Sequence, residues 1–235
     1  MELQAAIILC GGKATRMGEL CLDTPKSLLK VDGLSILARQ LRKLPKTMFA
    51  PFLAIGDTPH SQQFADFSQK FDCQLHRNLV SSPEGTGGAV HQIIRHYGLR
   101  GPVMVLNGDV LFQEPLTDMA YYHLDNGVKH SILGCGLYPV REYGELVLKK
   151  DTAHLPKVLA FNEKQNSIEL GFINGGCYIL DAQDYKENSS SVCSIERDVF
   201  PRLCLDESLH AYLTTKYWTD MGTPERFSNA NTAGC

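Results

Sequence analysis

The sequence has no long apolar run and no marked excess of either charge, and both features exclude classes of protein. Its first apolar segment, AAIILC at 5–10, is short, lacks a basic flank and runs into glycine, whereas a membrane-spanning helix needs about 20 apolar residues. We therefore expect neither a signal peptide nor a membrane segment, and we predict a cytoplasmic protein without a membrane partner. The formal net charge of −3 predicts no broad cationic surface, so we expect no nucleic-acid partner.

The sequence also lacks the cysteine spacing of a zinc site or a redox motif. Eight cysteines are present, none of them in a C-x-x-C pair. Cys10, Cys135, Cys177 and Cys204 lie inside apolar runs, and we interpret them as buried free thiols. Hydrophobic residues make up 43% and charged residues 21%, which predicts a compact fold rather than disorder. The length of 235 residues allows one large domain or two small ones.

Apolar runs and helical stripes alternate along the first half of the chain. We predict buried strands at 4–10 and 102–109, a further strand at 48–56 and a short one at 73–77. Amphipathic patterns predict helices between them, at 33–44, 61–71 and 86–98. Thr86 is the expected cap of the third helix. Strands that alternate with helices in this order indicate a doubly wound, Rossmann-like α/β fold.

The second half of the chain is richer in strand-like segments. From residue 130 onward, these segments are HSILGCGLYPV, GELVLKK, PKVLAFNEK, GFINGGCYIL and LHAYLTT. Helices are expected only near 195–204 and at 223–231. No low-complexity linker or repeat separates the halves. We therefore predict one domain over 1–235, in which a nucleotide-binding half at about 1–130 merges into an acceptor-binding half at about 131–235.

A glycine-rich loop follows the first strand. Open α/β sheets bind ligands where their strands end, and the paired glycines Gly11 and Gly12 let backbone N–H groups approach phosphates. Neither a P-loop nor a dinucleotide fingerprint is present. A plain tight turn is the alternative interpretation of the glycine pair. Two cations follow the loop, Arg16 and Lys26, and the rigid Pro25 directly precedes the second. They favour the phosphate site because two cations suit a triphosphate.

Two aspartates are candidate metal ligands. Asp109 ends the predicted strand 102–109, and Asp220 follows another strand-like run. Both carboxylates are expected at the carboxyl edge of the sheet, and hard oxygen ligands suit Mg²⁺. Each aspartate judged alone is also consistent with an Asx turn at a strand end.

The motifs, taken together, resemble the sugar-phosphate nucleotidyltransferases. In chain order they are LCGGKATRMG, TPKSLL, EGTGGA, LNGD, YGELVL, FNEK, INGGCYIL, SIERDVFP and TDMGTPERF. The resemblance runs from residue 5 to 231. It is strongest to D-glycero-D-manno-heptose 1-phosphate guanylyltransferases, through GTGGA, FINGG and SIE, while the closing motif is also similar to N-acetylmuramate 1-phosphate uridylyltransferases.

The resemblance implies a role for each matching residue. Magnesium would be held by Asp109 and Asp220, and the catalytic residues would be Arg16, Lys26 and Asp109. The nucleotide would be bound by Cys10, Gly11, Gly12, Lys13, Thr15, Arg16, Lys26, Gly85, Thr86, Asn107, Gly108 and Asp109. The sugar phosphate would be bound by Gly144, Glu163, Lys164, Asn174 and Gly175. The implied fold is the mixed sheet of the nucleotide-diphospho-sugar transferases.

Three positions depart from the family pattern. Ala14 stands where a third glycine is usual, and the following R-M-G is also similar to molybdenum-cofactor guanylyltransferases. Val80 stands where guanylyltransferases carry a base-facing glutamate, and Glu84 replaces a usual leucine. The choice of base is therefore left open between guanine and uracil.

The expected function is transfer of a nucleoside monophosphate from an NTP to a sugar 1-phosphate, with release of pyrophosphate. The resemblance implies GTP and a heptose 1-phosphate for surface polysaccharide such as lipopolysaccharide. The alternatives are a uridylyltransferase for N-acetylmuramate 1-phosphate or another sugar 1-phosphate, a metal-dependent glycosyltransferase, and a non-catalytic domain that senses nucleotide sugars. The glycosyltransferase is disfavoured because Asp109 is not part of an Asp-x-Asp motif. Assembly into a homo-oligomer is left open.

Overall fold

The computed structural model describes residues 2–12, 14–77, 85–149, 156–163 and 169–232. The strands are β1 (Ala5–Leu9), β2 (Lys30–Val31), β3 (Leu34–Ser35), β4 (Phe52–Ile55), β5 (Gln74–Arg77), β6 (Pro102–Asn107), β7 (Val110–Phe112), β8 (His130–Pro139), β9 (Glu145–Leu148), β10 (Val158–Asn162), β11 (Leu170–Asp181), β12 (Leu209–Thr214) and β13 (Trp218–Asp220). The α-helices are α1 (Ile36–Leu41), α2 (Ser61–Phe71), α3 (Gly85–Tyr97), α4 (Leu116–Asp125), α5 (Ala182–Asn188), α6 (Phe200–Leu205) and α7 (Pro224–Thr232). Two 3₁₀ segments cover Thr15–Cys21 and Lys26–Leu28.

The main sheet is mixed and joins strands from both parts of the chain. Its order is β10-β9-β11-β6-β1-β4-β5, with β8 pairing with β11 and β12 pairing with β8. Strand β1 runs parallel to β4 and β6, whereas β11 returns antiparallel to β6. The carboxyl ends of β1 and β6 therefore lie side by side, which places the loops that follow them at one edge.

Each face of the sheet buries its own apolar core. Ala5 and Ile7 of β1 contact one core, with α3, α5 and α6, whereas Ala6 and Ile8 contact the other, with α1, α2 and α4. A strand that is covered on both faces has to be apolar throughout, which is why β1 shows no alternation with polar residues. Helices on both faces of a mixed sheet confirm the predicted doubly wound α/β fold.

The starts of α1 and β4 lie three and four residues later than the sequence prediction, because local turn chemistry competes with the apolar pattern. The predicted helix 33–44 begins only at Ile36, since Asp32 and Gly33 both have positive φ and close the β2–β3 hairpin. Ser35 then caps α1 by accepting from the backbone N–H of Ala38 at 3.3 Å. The predicted strand 48–56 begins only at Phe52, because Pro51 has no N–H to donate to a neighbouring strand.

Two helices escaped the sequence prediction altogether, although both carry recognisable signals. Helix α4 buries Leu116, Met119 and Ala120 at helical spacing. Helix α5 is capped by Asp181, which accepts from the backbone N–H of Asp184 at 2.7 Å. The helix predicted at 195–204 begins as a π-helical turn, Ile195–Val199, and continues as α6.

No helix in the described part of the chain is both long and apolar enough to cross a membrane. The seven cysteines that the structure describes are free. Cys135, Cys177 and Cys204 are buried as predicted, whereas Cys10 retains some exposed surface. Its backbone borders the open glycine loop, yet its thiol is enclosed, and burial raises the pKa of Cys10 to about 12.

Candidate active site

The glycine loop leaves the end of β1 and lies against the end of β4. Cys10 donates its backbone N–H to the carbonyl of Ala54 at 2.8 Å, which holds the start of the loop on the sheet. A Cβ added to Gly11 would come within 3.3 Å of the backbone nitrogen of Gly56, whereas one added to Gly12 would meet no described atom within 4 Å. Packing against Gly56 therefore requires a glycine at position 11, whereas Gly12 faces open space that a ligand can enter.

Arg16 and Lys26 follow this loop in different environments. Arg16 and Thr15 are exposed at the start of the first 3₁₀ segment. Ala14, just before them, has φ 46° and ψ 28°. Left-handed backbone suits glycine, so the position still has the geometry that a glycine would favour. Lys26 is partly buried, and its ammonium forms a close ion pair with the carboxylate of Asp109.

The end of β6 is packed tightly against the end of β1. Gly108 donates its backbone N–H to the carbonyl of Leu9 at 2.9 Å, and a Cβ at Gly108 would lie 2.7 Å from the same oxygen. Gln40, which sequence reasoning did not select, is 1% exposed and donates its amide to the carbonyls of Asn107 at 2.8 Å and Val110 at 3.0 Å. These contacts fix the turn that presents Asp109.

Asp220 reaches Asp109 through a second, two-stranded sheet. Strand β13 pairs antiparallel with β7 so that Asp220 is opposite Val110, and Met221 donates its N–H to the carbonyl of Asp109 at 2.8 Å. The structure therefore places Asp109, in the turn before β7, next to the end of β13, where Asp220 lies. Among the described residues no cluster of three or more histidine, cysteine or acidic side chains is suited to a metal, so these two carboxylates are the donor set to consider.

An arginine that sequence reasoning did not assign closes this corner of the site. Arg226 donates from Nη1 to both oxygens of Asp220, at 2.7 and 3.0 Å, and pairs through Nη2 with Glu142. Its guanidinium lies 5.1 Å from the ring centre of Tyr143. Burial raises the pKa of Tyr143 well above its usual range, and the Asp220 carboxylate, which accepts its hydrogen bond, raises it further. The only sequence signal for Arg226 was its place in TDMGTPERF.

The candidate sugar-phosphate residues meet where β9 begins. Strand β9 pairs with β10 so that Glu145 is opposite Asn162, and Gly144 and the exposed Glu163 adjoin this pair in the sequence. Asn174 donates its backbone N–H to the carbonyl of Gly144 at 2.8 Å. A side chain at Gly144 would overlap the ring of Phe161.

The strand β11 connects this group of residues to the end of β6. The side chain of Asn174 donates to the hydroxyl of Tyr178 at 3.0 Å and accepts from the N–H of Gly176 at 2.8 Å. The carbonyl of Gly175 accepts from the indole of Trp218 at 2.9 Å. The pairing of β11 with β6 ends with Cys177 opposite Leu106, and a Cβ at the preceding Gly176 would lie 3.2 Å from Nδ2 of Asn107. The two groups of candidate residues therefore share one edge of the sheet.

Gly85 and Thr86 lie at the start of α3 and contact the segment before α6. Gly85 has φ 71°, and a Cβ there would overlap the carbonyl oxygen of Cys193. The prediction that Thr86 caps α3 is wrong. The helix already begins at Gly85, and the Thr86 hydroxyl instead accepts from the N–H of Ile195 at 3.1 Å and donates to Glu196 at 2.9 Å.

Some sequence predictions fall outside the part of the chain that the structure describes. They are the phosphate contact of Lys13, the sugar-phosphate contact of Lys164, and the base-facing positions Val80 and Glu84. Each stays a prediction.

A mixed doubly wound sheet, an open glycine loop at the end of its first strand, and a lysine and two aspartates beside that loop define the nucleotide-binding α/β class. A family model described as nucleotidyl transferase matches residues 5–234. The chain therefore belongs to the nucleotidyl transferase family, and the resemblance found in its motifs is confirmed at that level.

Curated relatives match nearly the whole chain. The mannose-1-phosphate guanylyltransferase of Mycobacterium tuberculosis is 31% identical over 230 residues, and the mannose-1-phosphate guanyltransferase of Aspergillus fumigatus is 28% identical over 226. In both cases the match covers 94% of this chain and 62% of the relative. The chain thus spans less than two thirds of the length of these relatives.

Solved structures share the fold. HddC from Yersinia pseudotuberculosis complexed with GMP-PN has a TM-score of 0.77 at 24% identity, over 99% of this chain and 100% of that one. A putative glucose-1-phosphate thymidylyltransferase from Bacillus anthracis has a TM-score of 0.82 at 19% identity, over 98% and 94%. These likenesses extend across both halves of the chain.

Proposed function

We propose that this protein transfers a nucleoside monophosphate from an NTP to a sugar 1-phosphate and releases pyrophosphate. The observation that carries the proposal is the meeting of three separate segments at one sheet edge. Lys26 pairs with Asp109 beside the open glycine loop, and the residue after Asp220 bonds to the Asp109 carbonyl. Cations and carboxylates so placed suit a triphosphate and its metal.

The reaction requires positioning and charge neutralisation rather than covalent catalysis. An oxygen of the sugar phosphate attacks the α-phosphorus in line. A new P–O bond forms as the bond from the α-phosphorus to the bridging oxygen breaks, and pyrophosphate leaves with that oxygen. Lys26 and Arg16 offset the negative charge that grows on the departing group. Gly12 leaves room for the phosphate chain against the loop.

Magnesium fits the two carboxylates found here. Mg²⁺ is usually bound by one or two carboxylates together with substrate phosphates. Asp109, in the turn before β7, and Asp220, at the end of the paired strand β13, supply two. When bound, the ion would supply Lewis-acid stabilisation of charge near the α-phosphate. The sugar 1-phosphate is assigned to Gly144, Glu163, Lys164, Asn174 and Gly175.

We propose GTP as the nucleotide and a manno-configured sugar 1-phosphate as the acceptor. The names of the curated relatives support guanine and mannose 1-phosphate, and the motif resemblance supports a heptose 1-phosphate of the same ring configuration. Production of a nucleotide sugar for surface polysaccharide is the corresponding proposal for the product.

A pyrophosphate-release assay tests both the reaction and the substrates. Each of the four NTPs is combined with mannose 1-phosphate, D-glycero-D-manno-heptose 1-phosphate or N-acetylmuramate 1-phosphate, with Mg²⁺ or with EDTA. Magnesium-dependent release is expected with GTP and a manno-configured acceptor. Release with UTP and N-acetylmuramate 1-phosphate would replace the substrate assignment. Ligand binding without release from any pair would favour a nucleotide-sugar sensor.

A matched pair of variants connects the activity to the site. Asp109→Asn should abolish release, because it removes a carboxylate from the proposed metal site. Asp118→Asn makes the same chemical change in the first turn of α4 and should leave release unchanged.

A further inference from the structure

Arg226 lies in the first turn of α7 and is held in place by more than one group. Its side chain is 24% exposed and stacks on Tyr143 while pairing with Glu142 and Asp220. Arginine in a planar, multiply bonded setting of this kind loses little side-chain freedom for each contact it makes. The residue is therefore a defined part of the site rather than a solvated surface cation.

The arginine occupies the oxygens that a metal would need. Nη1 of Arg226 contacts both carboxylate oxygens of Asp220, and the N–H of Gly222 donates to Oδ1 at 2.5 Å. The Asp220 side chain is only 15% exposed, so water has little access to it. Both oxygens already accept from Arg226, so a cation that binds Asp220 competes with the guanidinium for the carboxylate.

The same arrangement exists at the other carboxylate. Asp109 pairs with Lys26, so each of two neighbouring acids has its own internal cation. Two partly buried carboxylates, one just before β7 and one at the end of its partner β13, would repel each other if both were unpaired. Lys26 and Arg226 offset this repulsion with charges that belong to the chain itself.

We propose that Arg226 is an exchangeable counter-ion for Asp220, which holds the carboxylate when no divalent cation is bound and is displaced from it when one binds. This inference rests on the metal site of the proposed function. Glu142 and the Tyr143 ring retain the displaced guanidinium beside Asp220, so the exchange requires a side-chain rotation and no movement of α7. Arg226 is thus a positioning residue that sets the affinity of the site for metal.

Removal of the guanidinium should strengthen metal binding, which is opposite to the effect expected if Arg226 merely supported the site. Arg226→Met retains an unbranched apolar stem without the charge. Mn²⁺ titration without nucleotide, followed by electron paramagnetic resonance, is expected to give a Kd about tenfold lower than in the unmodified protein, equivalent to about 1.4 kcal/mol. The rise in melting temperature on addition of MgCl₂ should also be larger in the variant, because its unpaired Asp220 gains more from the ion.

Arg202 provides a matched control. Its side chain is 25% exposed and pairs with the 11% exposed Asp184 on another part of the molecule. Arg202→Met therefore removes a similar ion pair but should leave the Mn²⁺ affinity unchanged. Arg226→Lys retains the positive charge but not the planar guanidinium. Its Mn²⁺ affinity should therefore lie between those of the unmodified protein and Arg226→Met. It also serves as the test protein if Arg226→Met does not fold.

The outcomes separate this inference from the metal assignment itself. If Asp220→Asn leaves Mn²⁺ affinity unchanged, Asp220 is not a ligand, and both the metal site and the exchange are wrong. If Asp220→Asn weakens binding while Arg226→Met and Arg226→Lys bind Mn²⁺ no more tightly than the unmodified protein, the metal site stands and the exchange is wrong.

Discussion

Gly12 offers a direct test of whether the loop after β1 binds phosphate. A Cβ at this position meets no described atom within 4 Å, and its φ lies outside the left-handed region. Gly12→Ala should therefore fold without strain. A compatible Gly→Ala change stabilises a protein by about 0.4–1 kcal/mol by restricting the unfolded chain. At about 2–4 °C per kcal/mol for a chain of this size, the melting temperature should rise by about 1–4 °C.

Nucleotide binding should respond in the opposite direction. The added methyl group occupies the space in which a phosphate would approach the backbone N–H groups of the loop. Hydrogen bonds to charged groups contribute about 1.5–3 kcal/mol, so loss of one should weaken NTP binding roughly tenfold to a hundredfold. A rise in stability combined with a loss of affinity distinguishes a binding glycine from a structural one.

Gly85→Ala is the control, because the same chemical change meets a different environment. Its positive φ alone costs a side-chain-bearing residue about 1–2 kcal/mol, and the new Cβ would overlap the Cys193 carbonyl. Its melting temperature should fall by at least about 2 °C. Thermal melts without ligand and calorimetric titration with a non-hydrolysable GTP analogue give both quantities. If Gly12→Ala bound the analogue within twofold of the unmodified protein, the loop would not be the phosphate site.

Three further predictions test the site and the fold. Asp109→Asn and Asp220→Asn should each abolish magnesium-dependent turnover but retain the circular dichroism of the folded protein, since an amide is a poor ligand for a hard cation; full turnover in either would remove that residue from the metal site. Burial lowers the pKa of His123 and of His130 from the ordinary 6.5 to about 4, so the unfolded chain binds these protons first. Stability should fall as the pH drops from 6.5 to 4, by up to about 3 kcal/mol per histidine, and denaturant titrations that show no fall would contradict this. Lys164→Met should weaken sugar 1-phosphate binding roughly tenfold to a hundredfold without changing NTP affinity, as titration of each ligand would show.

Helices and strands that carry a strong local pattern of apolar residues were predictable from the sequence. Helix α2 occupies 61–71, as its amphipathic pattern predicts. Strand β6 covers the predicted strand 102–109 except for residues 108 and 109. Helix α4 was not predicted, although Leu116, Met119 and Ala120 have helical spacing. Turn residues such as Asp32 and Gly33 determine where an element begins, and the spacing of apolar residues does not show this.

Some parts of the candidate site were likewise predictable from a local pattern, and others were not. Asp109 could be placed at the sheet edge from its own strand, because the end of a parallel strand defines an edge without reference to any partner. The pairing of Asp220 with Arg226 could not be predicted, since it depends on the pairing of β13 with β7. A three-residue antiparallel contact between distant segments produces no periodic pattern in the sequence. A binding role also differs from a structural one by what surrounds the residue. Gly12 and Gly85 are the same amino acid in two glycine-rich segments. The empty space at one and the Cys193 carbonyl at the other distinguish their surroundings, so the same substitution should affect the two positions differently.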